Sequence, residues 1–144
     1  MFAQWAKLQE QVFKAFASSE SAPSPADEMA DLARLVDSGA FAALEEDDRR
    51  NEACRIGRLG IGNPMLETVA VALLVKLLRD PDDIVRWDAA HGLMEIAQAS
   101  ESLKMDILPV LQTVKADDPD SELRAIVSVR LNKLTASPHP DPAP

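Results

Sequence analysis

The feature that most constrains the fold is an internal repeat in the second half of the chain. Residues 80–90 read DPDDIVRWDAA, and residues 118–128, which begin 38 positions later, read DPDSELRAIVS. At this offset the matched positions include Val85 with Leu123, Arg86 with Arg124, Leu93 with Leu131 and Ile96 with Leu134. At an offset of 36, residues 50–54 align more weakly with residues 86–90. Such a period is typical of helical repeats, because each helix pair can bury its apolar face only against the next pair.

The composition also favours helices. A length of 144 residues suits one domain, and the chain has five Gly, no Tyr and few alternating β-branched runs from which to build a sheet. We therefore predict an all-α fold, a short α-solenoid of about three helix pairs with an amphipathic helix in front of it. The predicted helices span about residues 25–37, 40–44, 45–59, 65–79, 84–97, 102–115 and 121–134. Residues 60–64, which contain Gly60, Gly62 and Pro64, are expected to end the third of these, and most prolines are expected to mark helix ends.

The chain divides into four predicted parts. Residues 1–20 carry apolar side chains at spacings of three and four, which predicts an amphipathic capping helix; its apolar residues are Phe2, Trp5, Leu8, Val12, Phe13 and Phe16. We expect it to pack on the rest of the chain, with dimerisation (a homo-oligomer through residues 1–20) or a membrane surface as the alternatives. Residues 21–26 are predicted to be a linker, residues 27–135 the repeat domain, and the Pro-rich residues 136–144 a disordered tail.

Residues 77–93, LLRDPDDIVRWDAAHGL, carry a resemblance to a known family. They resemble a HEAT repeat of the bacterial type found in phycobilisome-lyase-like proteins, and the resemblance extends over about residues 64–134. It implies an α-solenoid whose surfaces hold other proteins. It also implies that the arginine recurring at Arg50, Arg86 and Arg124 pairs with a turn carboxylate of the neighbouring repeat. Lyase activity on bilins is not implied, because the sequence shows no cysteine or histidine cluster for it.

The charge restricts the class of partner. The formal net charge is −9 and the sequence pI is about 4.6, which argues against nucleic acid and anionic membranes and favours a basic protein partner. Cys54 is the one cysteine, so an internal disulfide is impossible, and we expect it to be a small core residue. The longest apolar run, residues 69–75, is too short to span a bilayer, and no signal peptide is apparent. We expect a cytoplasmic protein.

An acidic turn precedes the second helix of each predicted pair. The carboxylates concerned are Asp47 and Asp48, Asp82 and Asp83, and Asp118 and Asp120. An Asp at this position caps the helix by accepting hydrogen bonds from free backbone N–H groups, and its charge suits the positive end of the helix dipole. Capping does not require every one of these acids. We therefore also predict a negative rim that binds a cationic partner.

Three residues of one predicted helix, Trp87, His91 and Met94, lie at spacings of four and three. They should share a helix face, and two interpretations stay open. The stripe is a partner-binding patch, because Trp is enriched among binding hot spots, or Trp87 packs on a neighbouring helix.

The sequence contains no recognisable catalytic constellation, since His91 has no matched nucleophile or orienting carboxylate. We therefore predict a non-enzymatic protein with no catalytic residue, no cofactor and no metal ion. The favoured hypothesis is a small acidic bacterial immunity or antitoxin-type inhibitor that holds a basic partner. The alternatives are a regulatory or assembly scaffold of a larger complex and, third, an enzyme.

Overall fold

The computed structural model describes residues 24–136, and residues 1–23 and 137–144 lie outside the described part. Within residues 24–136 the regular structure is entirely helical, without strands, so the all-α prediction is confirmed there. The six α-helices are α1 (Pro25–Asp37), α2 (Glu46–Gly62), α3 (Glu67–Leu77), α4 (Asp83–Ala99), α5 (Glu101–Asp117) and α6 (Ser121–Thr135). Short 3-10 helices, Phe41–Ala43 and Pro64–Leu66, precede α2 and α3. The predicted capping helix and nearly all of the predicted tail fall outside the described residues.

Side chains cap most of the helices at their N-terminal ends. Ser24 accepts a hydrogen bond at the start of α1, Asp82 at the start of α4, Ser100 at the start of α5 and Asp120 at the start of α6. Each satisfies a backbone N–H that has no partner inside the helix. Glu45 occupies the same position before α2 but makes no such bond, so Asp caps two of the three acidic turns.

Two helices continue through residues that were expected to end them. Helix α2 runs to Gly62, past the glycine expected to break it at position 60, because Gly60 is buried where α2 meets α3. A Cβ added at Gly60 would overlap the Cβ of Ala70. Helix α5 continues through Pro109. That proline lies on the exposed side of the helix, so its ring does not displace core side chains.

Consecutive helices pack on one another, and α2 and α4 make the most extensive contact. Gly57 and Gly92 lie at this contact, and a Cβ on Gly92 would lie 3.4 Å from the Cα of Gly57 and 2.9 Å from the Cδ1 of Leu74. The core between the helices is formed by fully buried apolar side chains; the largest include Ile56, Leu74, Leu93, Ile96, Ile107, Leu111 and Leu123. Such burial is the main favourable term in folding.

Helix α6 differs from α4 on one side. At the offset of 38, three buried residues of α4 become polar residues in α6; the pairs are Ala90 with Ser128, Met94 with Asn132, and Ala97 with Thr135. Asn132 and Thr135 are exposed and Ser128 is half-buried. The last described helix is therefore suited to contact water on the side that α4 turns towards its neighbours.

No helix between residues 24 and 136 combines the length and apolar character that crossing a lipid bilayer requires.

Candidate protein-binding edge

Arginines join successive helix pairs near the N-terminal ends of α2, α4 and α6. The Nε of Arg86 donates to Asp118 Oδ2 at 3.1 Å. The Nε of Arg49 lies 3.2 Å from Asp80 Oδ2 as an ion pair, without forming a hydrogen bond. Each arginine also donates to a backbone oxygen of the turn before its own helix, Arg86 to Asp80 at 2.8 Å and Arg49 to Leu44 at 2.8 Å. We call these two arginine–aspartate pairs the inner contacts.

A second set, the outer contacts, lies one residue further along each helix. Arg50 donates to both carboxylate oxygens of Asp82, from Nε at 2.9 Å and from Nη2 at 3.0 Å. The Nε1 of Trp87 donates to Asp120 Oδ2 at 2.7 Å. Asp82 and Asp120 are also the caps of α4 and α6, so each carboxylate serves its own helix and the preceding pair at once.

These contacts correct the alignment of the first repeat by one residue. The sequence aligns Arg50 with Arg86 at an offset of 36. In the structure Arg49 has the role of Arg86, and Arg50 has the role of Trp87, so the spacing of equivalent residues is 37. Arg124 donates to the backbone oxygen of Asp118. Within residues 24–136 no later turn follows α6 to supply Arg124 with a carboxylate.

The contacts divide the predicted acidic rim into engaged and exposed carboxylates. Asp82 and Asp118 have side chains only 7 % and 4 % exposed, and both are held by arginine. Asp120 is half-buried and holds Trp87. The exposed carboxylates are Asp47, Asp48 and Asp83. Asp118 is thus a buried structural residue and cannot contribute to a binding rim.

The exposed acids lie next to the engaged ones. Asp47 Oδ1 is 3.6 Å from Nη1 of Arg50, the residue that holds Asp82. Asp83 follows Asp82 directly, and Asp48 follows Asp47. The outer contacts place the starts of α2, α4 and α6 next to one another, so these acids all lie at the same end of the fold. We call Asp47, Asp48 and Asp83 the acidic edge.

The electrostatics of the edge follow from its hydrogen bonds. The Arg50 guanidinium, by hydrogen bonding, holds the pKa of Asp82 far below its usual value, and Asp82 in turn raises the pKa of Arg50. The neighbouring Asp82 carboxylate raises the pKa of Glu46, although the charge of Arg50 opposes this. The indole N–H of Trp87 lowers the pKa of Asp120. Asp82 and Asp120 are therefore firmly anionic at neutral pH.

The predicted stripe of Trp87, His91 and Met94 is not one exposed surface. Met94 is 2 % exposed and belongs to the core. Trp87 is half-buried and bonded to Asp120, which favours its interpretation as a packing residue. His91 is exposed, and its Nε2 lies 4.0 Å from Glu95 one turn along the same helix. The spacing of residues along α4 shows which of them share a side of the helix. It does not show which sides are covered by neighbouring helices.

Sequence reasoning missed a groove between α3 and α5. It encloses about 330 Å³, and its walls are mainly the apolar side chains of Val75, Leu78, Val110 and Val114. Arg79, Asp117, Asp118 and Pro119 also line it. These valines and leucines look like core positions in the sequence, and only the separation of the two helices reveals the groove.

Two further findings concern Cys54 and the side chains that could bind a metal ion. Cys54 is exposed on α2, contrary to the expected core position, because it lies one residue beyond the buried Ala53 and outside the packed side of the helix. Among residues 24–136, no three metal-ligating side chains come together in a group.

Comparisons of the chain with models of protein families, with curated proteins and with solved structures gave no match. The resemblance to HEAT repeats, and the partner class that it implies, therefore stay predictions.

Proposed function

We propose that this chain is a non-enzymatic protein-binding module that holds a basic partner protein along the acidic edge. The observation that carries the proposal is the surplus of charge there. Asp82 and Asp120 satisfy the helix ends and the outer contacts, while Asp47, Asp48 and Asp83 remain exposed beside them. Exposed carboxylates on fixed helix ends attract cationic side chains and accelerate association.

The fold proposed for this function is a short HEAT-like solenoid of about three helix pairs. The recurring contacts of Arg49 and Arg86 with the next turn support it, because repeat proteins are held together by interactions between nearest neighbours. A rigid stack would keep the edge in one geometry, which reduces the entropy cost of binding.

Within this class we propose the role of a small acidic immunity or antitoxin-type inhibitor acting in the cytoplasm. The net charge of −9 supports it, since a strongly acidic inhibitor is captured quickly by a basic enzyme and covers its cationic surface.

A second candidate is an assembly scaffold, and the groove between α3 and α5 favours it. The groove is lined by residues of α3 and α5 and by Asp118 and Pro119 of the turn before α6, and none of the three residues of the acidic edge lines it. A module with two binding surfaces could hold two proteins at once.

The test uses two variants of the full chain with equal loss of charge. The edge variant carries Asp47→Asn, Asp48→Asn and Asp83→Asn. The control carries Asp27→Asn, Asp31→Asn and Asp106→Asn, which are exposed acids on α1 and α5. The tagged wild-type chain first captures its partner from native host extract at moderate salt, and association rates are then measured at several salt concentrations.

We expect the captured partner to be basic and the edge variant to associate at least about tenfold more slowly at low salt, with the difference shrinking as salt rises. The control should remain close to wild type. An acidic partner, or equal rates for the two variants, would contradict the proposal. Capture of several subunits of one complex would favour the scaffold.

A further inference from the structure

Three large apolar side chains on α4 and α6 are exposed. Ile84 is 41 % exposed, Ile126 is 40 % exposed and Val129 is 55 % exposed. Single exposed apolar side chains are common on protein surfaces, whereas a group of them marks a binding surface. Their significance therefore depends on whether they lie together.

An ion pair between α4 and α6 locates Ile126. Arg130 on α6 donates to Glu95 on α4, from Nη2 to Oε1 at 3.1 Å. The two helices run in the same direction, because the outer contact joins their starts. Ile126 is four residues before Arg130, and His91 is four residues before Glu95. Four residues are about one helical turn, so Ile126 lies beside His91.

Ile84 and Trp87 extend the group towards the start of α4. Ile84 is three residues before Trp87 and seven before His91, which places all three on one side of the helix. Trp87 is half-buried, and the outer contact holds it at the start of α6. Val129 follows Ile126 by three residues, on the same side of α6. We call Ile84, Trp87, Ile126 and Val129 the apolar patch.

The apolar patch adjoins the acidic edge. Ile84 directly follows Asp83, which belongs to the edge. Two further acids border the patch. Asp88, half-buried, is four residues after Ile84, and Glu122, exposed, is four residues before Ile126. Interfaces between proteins are commonly built in this way, with an apolar centre and a polar rim.

The cations near the patch leave this charge in place on the side of the acidic edge. Arg130 is paired with Glu95. Lys133 is exposed, and it lies one turn beyond Val129, at the end of α6 furthest from the acidic edge. A partner that covers the patch from the side of the edge therefore meets carboxylates first.

We propose that the basic partner attracted by the acidic edge is held by the apolar patch. Such a partner would present exposed apolar side chains, of the size of Leu, Met or Phe, bordered by Lys or Arg. This inference rests on the proposed function, because the acidic edge selects the partner. Charges at the rim of an interface mainly set the rate of association, whereas buried apolar contacts at its centre mainly set the rate of dissociation.

The test measures dissociation from the partner that the wild-type chain captures. The patch variant of the full chain carries Ile84→Ala, Ile126→Ala and Val129→Ala. Trp87 stays in place, because its N–H belongs to the outer contact. Ala is the best helix former, so the patch variant should keep the wild-type fold, which circular dichroism and thermal unfolding check.

A control variant removes three other exposed apolar side chains. It carries Met65→Ala, Val69→Ala and Met105→Ala, which lie at the start of α3 and on α5. We expect the patch variant to dissociate at least about tenfold faster than the wild-type chain, with its association rate at low salt little changed. The control should stay close to wild type. The edge variant should instead associate slowly and dissociate at about the wild-type rate.

The outcomes separate this inference from the proposed function. Equal dissociation rates for the patch variant and the control would overturn the inference and leave the proposed function standing. A wild-type association rate for the edge variant would contradict the proposed function, and the inference with it. Dimers of the wild-type chain in sedimentation that the patch variant lacks would assign the apolar patch to a second copy and overturn its contact with the partner.

Discussion

The two junctions between helix pairs use one geometry with different chemistry. At the first junction, from α2 to α4, the outer contact is Arg50 on Asp82. At the second, from α4 to α6, it is Trp87 on Asp120. Arg50 holds its carboxylate with a charged fork, whereas Trp87 uses a neutral N–H and adds a large apolar surface. In both junctions the acceptor is an Asp that also caps the next helix, whereas the donor changes from Arg to Trp. The acceptor is therefore the constant part of the junction.

The inner contacts differ between the junctions as well. Arg86 is 9 % exposed and hydrogen-bonded to Asp118, whereas Arg49 is 14 % exposed and its Nε has no hydrogen bond. The inner contact of the second junction therefore includes a hydrogen bond, whereas that of the first is an ion pair alone.

The largest expected effect is the loss of Arg86. The substitution Arg86→Met would leave the Asp118 carboxylate buried without a cation, which costs about 3–5 kcal/mol of unfolding free energy. The matching change at the first junction, Arg49→Met, should cost less, about 1–3 kcal/mol. Urea denaturation of both variants measures the difference, and equal losses would show that the two junctions are equivalent.

The next effect concerns the glycines where α2 packs. We expect Gly60→Ala to destabilise the fold by about 1–3 kcal/mol, because its Cβ would overlap that of Ala70. The control is Gly57→Ala, whose Cβ would meet only Gly92 Cα at 3.6 Å. It should be neutral or stabilising by up to about 1 kcal/mol, since Ala favours helix over Gly. Thermal unfolding of the two variants checks this, and a tolerated Gly60→Ala would contradict the packing described.

A smaller effect is expected at Trp87. The substitution Trp87→Phe removes the N–H that bonds to Asp120 and should lower the urea midpoint by less than Arg86→Met does. Trp87→Arg places at the second junction the donor found at the first. If the acceptor is the fixed part, Trp87→Arg should be more stable than Trp87→Phe, and its stability should fall more with added salt. The reverse order would mean that Trp87 acts only through its apolar surface.

The smallest effect is the response to acid. The pKa values of Asp82 and Asp120 in the folded chain lie below the ordinary value of 3.8. Their stabilising contribution is therefore complete above about pH 4 and is lost as the pH falls below 3.8 towards their folded values. In Arg50→Gln the Asp82 part of this acid-dependent loss should shrink. Urea midpoints measured from pH 5 downwards test it, and an unchanged slope would remove Arg50 as the cause.

The sequence predicts the helices well and their mutual placement less well. Repeated Asp and Arg residues are enough to predict that Arg86 meets the next turn, because the pattern returns with a fixed offset. The shift from Arg50 to Arg49 is not predictable in this way, since neighbouring arginines align equally well. Asp80 and Asp118 occupy the same position of the repeat at the offset of 38. Because they are the two carboxylates of the inner contacts, this recurrence could have identified those contacts.

For the candidate site, the sequence predicts where the acids lie but not which of them are free. Asp82 and Asp83 are adjacent in the chain, yet one is held by Arg50 and the other is exposed. Their difference depends on the direction of each side chain from the turn, which spacing does not encode. Met94 illustrates the same limit, because spacing within α4 does not show that this side of the helix is buried.

The polar side of α6 has a consequence for how such a chain can lengthen. The segment from Asp80 to Asp117 begins with Asp80 and Asp82, which pair with the arginines of α2. It also contains the donors Arg86 and Trp87, which bond to the turn that follows the segment. A tandem duplicate of this segment would present the same donors and acceptors at the new junction. Appending a unit after α6 would instead require apolar residues in place of Ser128, Asn132 and Thr135. The pattern of donors and acceptors therefore suits duplication of this middle segment better than addition of a helix pair directly after α6.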